Sequence, residues 1–162
     1  MSQRRVALVT GSATGVGRAC AIRFAKHGFD VVVNYSRSEA EARETVAQVE
    51  AAGAKALLIA CDISDDEGVK AMLAKIETEF GRLDVLVNNA ACTFPVEHKN
   101  LDGMTEDKWD RILDVNVKGT FFVTRAATPL LRKSDDAAVV NVSSIAGIAG
   151  TGSSIAYCAS KG

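Results

Sequence analysis

The chain has 162 residues, of which 48% are hydrophobic and 24% charged, and its formal net charge is −1. This composition is typical of one soluble globular domain and excludes a disordered chain. The near-zero charge excludes the basic surface that nucleic acid or an anionic membrane would require. No stretch reaches the roughly 20 apolar residues of a membrane span, and the start of the chain is too poor in apolar residues for a signal peptide. A cytoplasmic location is therefore expected.

The four cysteines are widely spaced along the chain, and no histidine stands at ligand spacing from them: they are Cys20, Cys61, Cys92 and Cys158. A zinc site needs clustered cysteine and histidine ligands, so no metal is expected. Cys20 and Cys61 lie in apolar segments and are predicted to be small buried hydrophobic residues.

Short apolar runs alternate along the chain with segments whose apolar residues have helical spacing. Strands are predicted at residues 5–9, 31–33, 56–61, 83–87 and 137–142. Helices are predicted at residues 15–27, 38–52, 64–80 and 105–132, the last in two pieces, and from Ser154 onward. Residues 90–103 are predicted to form a loop, because they contain Pro95 and little periodicity.

Two of the predicted helices begin with the S-x-x-E pattern of a capping box, Ser38 with Glu41 and Ser64 with Glu67. The alternation of apolar strands with helices predicts an α/β fold: a parallel sheet, doubly wound, with helices on both faces. Ligands of such sheets bind beyond the carboxyl ends of the strands. The functional residues are therefore expected directly after the predicted strands.

A glycine-rich turn follows the first predicted strand, with Gly11, Gly15 and Gly17 spaced as GxxxGxG. Such a turn lets backbone N–H groups approach a pyrophosphate, and the following helix adds the partial positive charge of its N terminus. The motif GK[ST] is absent, which disfavours a P-loop. An ordinary tight turn is the alternative, but three glycines in this context favour dinucleotide binding.

The second predicted strand ends in Asn34, Tyr35, Ser36 and Arg37. No Asp or Glu stands here to accept a hydrogen bond from a free ribose 2′-hydroxyl. Arg37 is suited to a 2′-phosphate instead, which favours NADP over NAD. The alternative is a solvated loop charge, and Arg18 is a second candidate of the same kind that is expected to face solvent.

Polar residues also follow the third and fourth predicted strands. Asp62 is suited either to accept a hydrogen bond from an exocyclic amine such as that of adenine or to cap the next turn. Asn88 and Asn89 are suited either to a ligand or to holding the loop backbone and the neighbouring strands. The residues alone leave both pairs of alternatives open.

Tyr157 and Lys161 lie four residues apart after the fifth predicted strand. If Ser154 begins a helix, the two side chains share one face of it, one turn apart. A nearby ammonium lowers the pKa of a phenol from its ordinary value of about 10, and such a phenol is suited to general acid–base catalysis. An amphipathic surface pair is the alternative.

In their order and spacing these motifs resemble the short-chain dehydrogenase/reductase family over the whole chain. The resemblance rests on TGxxxGxG at residues 10–17, Asp62, NNA at residues 88–90, Asn116, Ser144 and YxxxK at residues 157–161. It implies a Rossmann-like fold and hydride transfer between a nicotinamide cofactor and a carbonyl or alcohol carbon. Residues 34–37 are similar to those of NADP-preferring members, including β-ketoacyl carrier-protein reductases.

The resemblance implies a catalytic role for four residues. Tyr157 would be the general acid in reduction and the general base in oxidation. Lys161 would lower the pKa of Tyr157 and hold the nicotinamide ribose. Ser144 would donate a hydrogen bond to the substrate oxygen, and Asn116 would anchor a water that links Lys161 to solvent.

The resemblance also implies a cofactor site, with the glycines beside the pyrophosphate, Asp62 on adenine and Asn89 near the adenosine ribose. The residues expected to bind NADP are Gly11, Ser12, Gly15, Val16, Gly17, Asn34, Arg37, Asp62, Ile63, Asn89, Ala90, Tyr157 and Lys161. The other expected partners are a small carbonyl or alcohol substrate and further copies of the chain. A homodimer or homotetramer would form through the helix before strand five and the helix that carries YxxxK.

The sequence departs from the family pattern at two places. Ala91 stands where the family often has glycine, and the family continues past YxxxK with further strands and a substrate lid. Residues 1–162 are therefore expected to be a single dinucleotide-binding domain that is incomplete at its C terminus. A non-catalytic nucleotide-binding or scaffold protein is the alternative function, but the presence of all four catalytic-type residues favours an enzyme.

Overall fold

The computed structural model describes residues 4–162 and contains one sheet of five parallel strands. Residues 1–3, on which the prediction of no targeting segment partly rests, lie outside the described residues. The strands are β1 Val6–Val9, β2 Asp30–Tyr35, β3 Ala56–Ala60, β4 Val85–Asn88 and β5 Ala138–Asn141. They pair in the order β3-β2-β1-β4-β5. The predicted doubly wound α/β fold is confirmed.

Seven α-helices and one π-helix connect or follow these strands in the described chain. The α-helices are α1 Gly15–Lys26, α2 Glu39–Ala51, α3 Asp66–Phe80, α4 Glu106–Leu113, α5 Thr120–Leu131, α6 Ile145–Ala149 and α7 Ile155–Lys161. The π-helix Asp114–Gly119 joins α4 to α5. The segment predicted as a helix in two pieces therefore has three, and its middle piece is the π-helix that carries Asn116.

The core lies on both faces of the sheet because successive side chains of a strand point to opposite faces. In β1, Val6 and Leu8 pack into a cluster with α3 and α5. Ala7 and Val9 pack into a second cluster with α1 and α2. All four side chains are buried, so β1 forms the centre of the molecule and its carboxyl end is rigidly placed.

Strand β5 differs from its prediction as a buried apolar strand. Val139 and Val140 are 44% and 48% exposed, and all four residues of the strand are exposed. The reason is position: in the described chain β5 is an edge strand, paired on one side only, with β4.

The prediction that Ser64 begins a helix is wrong. Helix α3 begins after Asp65, and the Ser64 hydroxyl donates instead to the Asp62 carboxylate, at 2.7 Å. Ser38 does stand at the N-cap of α2, but its side chain makes no capping bond within residues 4–162. Helix α6 was not predicted, because five residues are too few for an apolar period to show.

Within residues 4–162, no helix is both long enough and apolar enough to cross a membrane. In the same range, no three His, Cys, Asp or Glu side chains converge as metal ligands would. Cys20 and Cys61 are only partly buried, each against one of the two core clusters, so their predicted burial is incomplete.

Candidate active site

A cleft of about 570 Å³ lies beyond the carboxyl ends of strands β1 to β4. This volume is in the range of small-molecule sites, and the position is the one that ligands occupy in sheets of this kind. Turns that are far apart in the sequence meet here. The residues that line the cleft include Gly11, Thr14, Asn34, Ser36, Arg37, Cys61, Asp62, Ile63, Asn89, Ala90, Ala91, Cys92, Thr93, Phe94, Arg111 and Val115.

The glycine-rich turn contributes Gly11 and Thr14 to the lining of this cleft, and Gly15 and Gly17 follow directly at the start of α1. Gly15 has a φ of 56°, and a Cβ there would meet no described protein atom within 4 Å. A Cβ at Gly17 would lie 2.5 Å from the amide nitrogen of Asn89, so only glycine permits this packing. Thr14, at the N-cap of α1, makes no side-chain capping bond among the described residues. Backbone N–H groups of the first turn of α1 thus remain for an anion.

Two residues predicted to bind the cofactor hold the turns together with their side chains. The buried Asn34 accepts from the Gly11 N–H at 3.1 Å and donates to the Cys61 carbonyl at 3.1 Å. The Ser12 hydroxyl, also buried, donates to the Val9 carbonyl at 2.8 Å. Asn34 also lines the cleft, whereas Ser12 lies outside the lining and fixes the turn itself.

The side chain of Val16 lies away from the cleft. Its side chain is exposed and lines a separate apolar groove along α1, with Phe24 and Phe29. Only the backbone of Val16, which lies in the first turn of α1, is directed toward the site. The sequence pattern could not show this, because the glycine motif specifies the backbone and not the neighbouring side chain.

The two asparagines after β4 hold neighbouring segments. Asn88 donates to the Asn141 side chain of β5 at 2.8 Å. Asn89 donates to the carbonyls of Thr10 and Gly11 at 2.9 and 3.1 Å. The Thr10 hydroxyl in turn accepts from the N–H groups of Asn89 and Ala90, each at 3.0 Å. The structural alternative for these amides is therefore present, and Thr10, which the motif includes without a predicted role, supports the same turns.

The two arginines singled out in the sequence have different surroundings. Arg37 is exposed at the rim of the cleft and forms no ion pair within residues 4–162. Arg18 does not face solvent as expected. It donates to the Ala13 carbonyl and the Thr45 hydroxyl, both at 2.9 Å, and pairs with Glu44 at 3.2 Å. Arg18 therefore links α1 to α2, and Arg37 is the guanidinium that remains for a ligand.

Asp62 follows β3 and lines the cleft, as the sequence predicts. Its Oδ1 accepts from the N–H and the hydroxyl of Ser64 at 3.0 and 2.7 Å, and its Oδ2 accepts from Arg111 at 2.6 Å. Burial raises the pKa of Asp62, but the hydrogen bonds from Ser64 and Arg111 outweigh it, so the pKa lies below its ordinary value. The turn-capping alternative is thus realised, while the carboxylate still borders the cleft.

Tyr157 and Lys161 lie one turn apart on α7, which begins after Ser154 as predicted. The Ser154 hydroxyl accepts from the Tyr157 N–H at 3.3 Å. The ammonium of Lys161 lies 6.0 Å from the centroid of the Tyr157 ring and donates to the Val142 carbonyl at 2.8 Å. Burial lowers the pKa of Lys161. The structure therefore brings this pair together beside the end of β5.

Asn116 connects the loop after β4 with α7. In the π-helix it is buried, and its Oδ1 accepts from the Cys92 N–H at 2.8 Å. Its Nδ2 donates to the Cys92 carbonyl at 3.0 Å and to the Ser160 hydroxyl at 2.9 Å. Through Asn116, the π-helix thus holds Ser160, the residue next to Lys161. Such π-helical turns are frequent at functional sites.

The two serines after β5 have different partners. Ser144 stands at the N-cap of α6, and its hydroxyl accepts from the Ala146 N–H at 3.2 Å. Ser143 donates to the Lys161 carbonyl at 2.7 Å. A Cβ at Gly147 would lie 2.2 Å from the same carbonyl oxygen, so α6 packs directly on the last turn of α7. Ser143 and Gly147 had no predicted role, because their contacts with α7 exist only in the folded chain.

Two thiols, Cys61 and Cys92, line the cleft. Burial raises the pKa of Cys61 to about 11, with further contributions from the carboxylates of Asp65 and Asp62. Burial likewise raises the pKa of Cys92. Neither thiol is therefore prepared to act as a nucleophile.

Together, the glycine-rich turn at the N terminus of α1, the cleft at the carboxyl ends of the strands and the polar residues after each strand are features of the dinucleotide-binding α/β folds. The family model of the short chain dehydrogenases matches residues 5–162. The chain belongs to this family, whose members are NAD(P)-dependent oxidoreductases. The family assignment made from the sequence is confirmed.

Three known proteins illustrate the relationship. A 3-oxoacyl-(acyl-carrier-protein) reductase of Staphylococcus aureus is 37% identical over 161 residues, covering 99% of this chain and 64% of that protein. A crystal structure described as a short-chain dehydrogenase/reductase of Burkholderia xenovorans is 38% identical with a TM-score of 0.95, covering 99% of this chain and 68% of the other. NAD+-bound xylitol dehydrogenase is 29% identical with a TM-score of 0.90, covering 98% and 60%. The chain thus spans a little under two thirds of the curated reductase.

Proposed function

We propose that the protein is an NADP(H)-dependent oxidoreductase that interconverts a carbonyl compound and an alcohol. The observation that carries the proposal is the placement of Tyr157 and Lys161 one turn apart on α7, with the Lys161 ammonium held by the Val142 carbonyl. A phenol and an ammonium fixed in this way can deliver a proton to an oxygen while the neighbouring carbon changes oxidation state. When bound, the nicotinamide supplies or takes the hydride.

In the direction of reduction, the Tyr157 hydroxyl donates its proton to the carbonyl oxygen as the carbon gains the hydride. The product is the alcohol, and Tyr157 is left as a phenolate that the positive charge of Lys161 stabilises. The Ser144 hydroxyl donates a hydrogen bond to the same substrate oxygen. Oxidation follows the reverse order, with Tyr157 as the base.

The proton that Tyr157 loses must be replaced from solvent in each cycle. We propose that Asn116, Ser160 and Lys161 belong to this supply path. The hydrogen bond from Asn116 to Ser160, at 2.9 Å, supports the proposal because it anchors the path next to Lys161. A water beside Asn116 would complete the connection.

The preference for NADP over NAD rests on Arg37. Its guanidinium lies at the rim of the cleft beside Ser36, without an ion pair among the described residues. A 2′-phosphate would provide the anionic partner, since phosphate fits the planar donor pattern of arginine. The pyrophosphate would lie beside Gly11, Gly15 and Gly17, at the N terminus of α1.

The adenosine half of the cofactor would lie over the turns after β3 and β4. Asp62 would accept from the adenine amine, with Ile63 beside the ring, and Asn89 and Ala90 would border the adenosine ribose. Asp62, Ile63, Asn89 and Ala90 all line the cleft, which supports this placement. Ser12, Val16 and Asn34 would act through backbone or through the shape of the turn.

The first substrate class to test is the 3-oxoacyl thioester, because one relative of the chain is named as a reductase of such compounds. A homodimer or homotetramer is proposed from the exposed apolar side chains along α4, the π-helix and α5, namely Trp109, Val117 and Phe121. The mass in solution, measured by light scattering, tests this assembly. A monomer at all concentrations would contradict it.

We predict that Tyr157→Phe abolishes NADPH oxidation while leaving the Kd for NADPH unchanged within about twofold. General acid–base catalysis by a positioned side chain contributes roughly a hundredfold to ten-thousandfold, so turnover should fall at least a hundredfold. The loss of absorbance at the nicotinamide band measures turnover, and quenching of tryptophan fluorescence measures binding. Full turnover by the variant would refute the role of Tyr157, and a wild-type protein that binds NADPH without reducing any carbonyl compound would favour a non-catalytic binding protein.

A further inference from the structure

Arg111 at the end of α4 contacts the carboxylate that borders the cleft. Its two terminal nitrogens divide between two acceptors: one donates to Asp62 Oδ2 at 2.6 Å, the other to the Ser64 hydroxyl at 2.8 Å. Ser64 in turn donates its N–H and its hydroxyl to Asp62 Oδ1. Arg111, Ser64 and Asp62 thus form a closed ring of hydrogen bonds that joins α4 to the turn after β3.

This ring fixes both the orientation and the charge of the carboxylate. Each oxygen of Asp62 has a donor on the protein side, so rotation about its side-chain torsions would break at least one charge-assisted bond. Oδ1 accepts two bonds from Ser64, whereas Oδ2 accepts only the bond from Arg111 and so retains a second lone pair. Both side chains of the ion pair are about one third exposed, which leaves the carboxylate open to the cleft.

An ionised oxygen that is already correctly aimed is a stronger acceptor for an exocyclic amine than a neutral one. A freely rotating aspartate on a turn would lose conformational entropy on binding such an amine, whereas one held in advance would not. Arg111 itself lines the cleft. It could therefore act on a ligand in two ways, either through Asp62 or directly as a cation. The contacts favour the first, because both terminal nitrogens are already engaged.

We propose that Arg111 is a positioning residue for the cofactor, which holds Asp62 as a ready acceptor for the exocyclic amine of adenine. This inference rests on the proposed binding of NADP(H). It assigns to α4 a direct influence on how tightly adenine is held.

The test compares Kd values, by fluorescence titration, of NADPH and of its deamino analogue, whose hypoxanthine ring lacks the amine. We expect Arg111→Met to weaken NADPH binding about tenfold, the lower end of the range for one hydrogen bond to a charged group, and the deamino analogue by less than about twofold. Arg111→Lys keeps the charge but can no longer bridge Asp62 and Ser64, and it should recover part of the loss. A merely structural role would weaken both ligands equally.

Arg125→Met is the matched control, because Arg125 pairs with Asp66 and thus also joins the α4–α5 segment to α3. It should leave both Kd values unchanged. Equal weakening of the two cofactors in Arg111→Met, or an unchanged Kd for NADPH in a folded Arg111→Met, would overturn the inference. Failure of the wild-type protein to bind either cofactor would instead overturn the proposed function, so the two failures are distinguishable.

Discussion

Lys161 is held at both of its ends. Its ammonium donates to the Val142 carbonyl, and its backbone carbonyl accepts from the Ser143 hydroxyl. The segment that follows β5 is therefore bonded to the last turn of α7 at two points. The close packing of Gly147 on the same carbonyl leaves no room for a side chain there. The position of the ammonium relative to Tyr157 is therefore set by three residues that lie outside the YxxxK motif.

We predict that Ser143→Ala lowers kcat by about threefold to tenfold, the effect of losing one ordinary hydrogen bond at a positioned group. The KM for NADPH should change little, because Ser143 does not line the cleft. Ser143→Thr keeps the hydroxyl at an exposed position and should restore kcat. Steady-state kinetics of the three proteins decide, and an Ala variant with wild-type kcat would contradict the positioning role.

In the proposed function, Arg37 sets the preference for NADPH over NADH. We predict that Arg37→Ala raises the Kd for NADPH about tenfold, through loss of a charge-assisted hydrogen bond to the 2′-phosphate, and leaves the Kd for NADH nearly unchanged. Calorimetric titration of both cofactors measures this. Arg43→Ala is the control, because Arg43 carries the same charge nearby on α2 but pairs with Glu39. Equal affinity of the wild-type protein for NADH and NADPH would refute the preference.

Single residues differ in how far the sequence could reveal them. The spacing of Tyr157 and Lys161 is a local property of a helix, so their shared face could be predicted. The contact of Arg111 with Asp62 joins residues 49 positions apart, and no local pattern marks it. Residue roles that depend on such distant contacts became visible only in the folded chain.

At the scale of elements, Asp84 is a junction at the end of the sheet opposite the cleft. Its fully buried carboxylate accepts from the Val6 N–H at 2.8 Å, from Arg82 at 2.6 Å and from the Ser134 hydroxyl at 2.7 Å. It therefore joins β1, the start of β4 and the segment after α5. Burial raises the pKa of Asp84, but the hydrogen bonds from Arg82, Ser134 and Val6 outweigh it and hold the pKa below its ordinary value.

We predict that Asp84→Asn lowers the free energy of unfolding by about 1–3 kcal/mol at pH 7, because a neutral amide cannot satisfy the donors of Arg82, Ser134 and Val6 as the carboxylate does. The folded-state pKa of Asp84 is depressed, so its contribution is complete above the unfolded value of about 3.9 and is lost as the pH falls through the folded value. The stability difference between wild type and variant should therefore shrink below about pH 4. Urea unfolding across this pH range measures it.

Asp136→Asn is the control for this prediction, since Asp136 is exposed and pairs only at the surface with Arg5. Its effect should stay within about 0.5 kcal/mol. A stability loss for Asp84→Asn no larger than that of Asp136→Asn would show that the junction does not hold the sheet together.

Most elements could be predicted because apolar runs and helical periods survive into the fold. The failures have local causes. Ser64 was predicted as a helix start, but the carboxylate of Asp62 competes for its hydroxyl. Helix α6 is too short to show a period, and β5 is exposed because its place at the sheet edge is a property of topology rather than of its own residues.

At the scale of the whole molecule, the two ends of the strands have separate roles. The cleft, Tyr157 and Lys161 lie at the carboxyl ends of the strands, while Asp84 lies at the amino ends. The organisation of residues 1–162 as a single domain stays a prediction. Membership of the family, the doubly wound sheet and the cleft together support one central claim, that this chain holds the cofactor and the proton donor of a hydride-transfer reaction.

The measurement that tests this claim most directly is the fate of deuterium placed at C4 of the nicotinamide of NADPH. The protein is incubated with a 3-oxoacyl thioester and, in separate reactions, with each of the two stereospecifically labelled cofactors. Mass spectrometry then measures the deuterium content of the hydroxyacyl product. The account predicts one deuterium on the carbinol carbon from one labelled cofactor and none from the other, with no product from Tyr157→Phe. A product without deuterium from either cofactor, or labelled product formed at the wild-type rate by Tyr157→Phe, would contradict it.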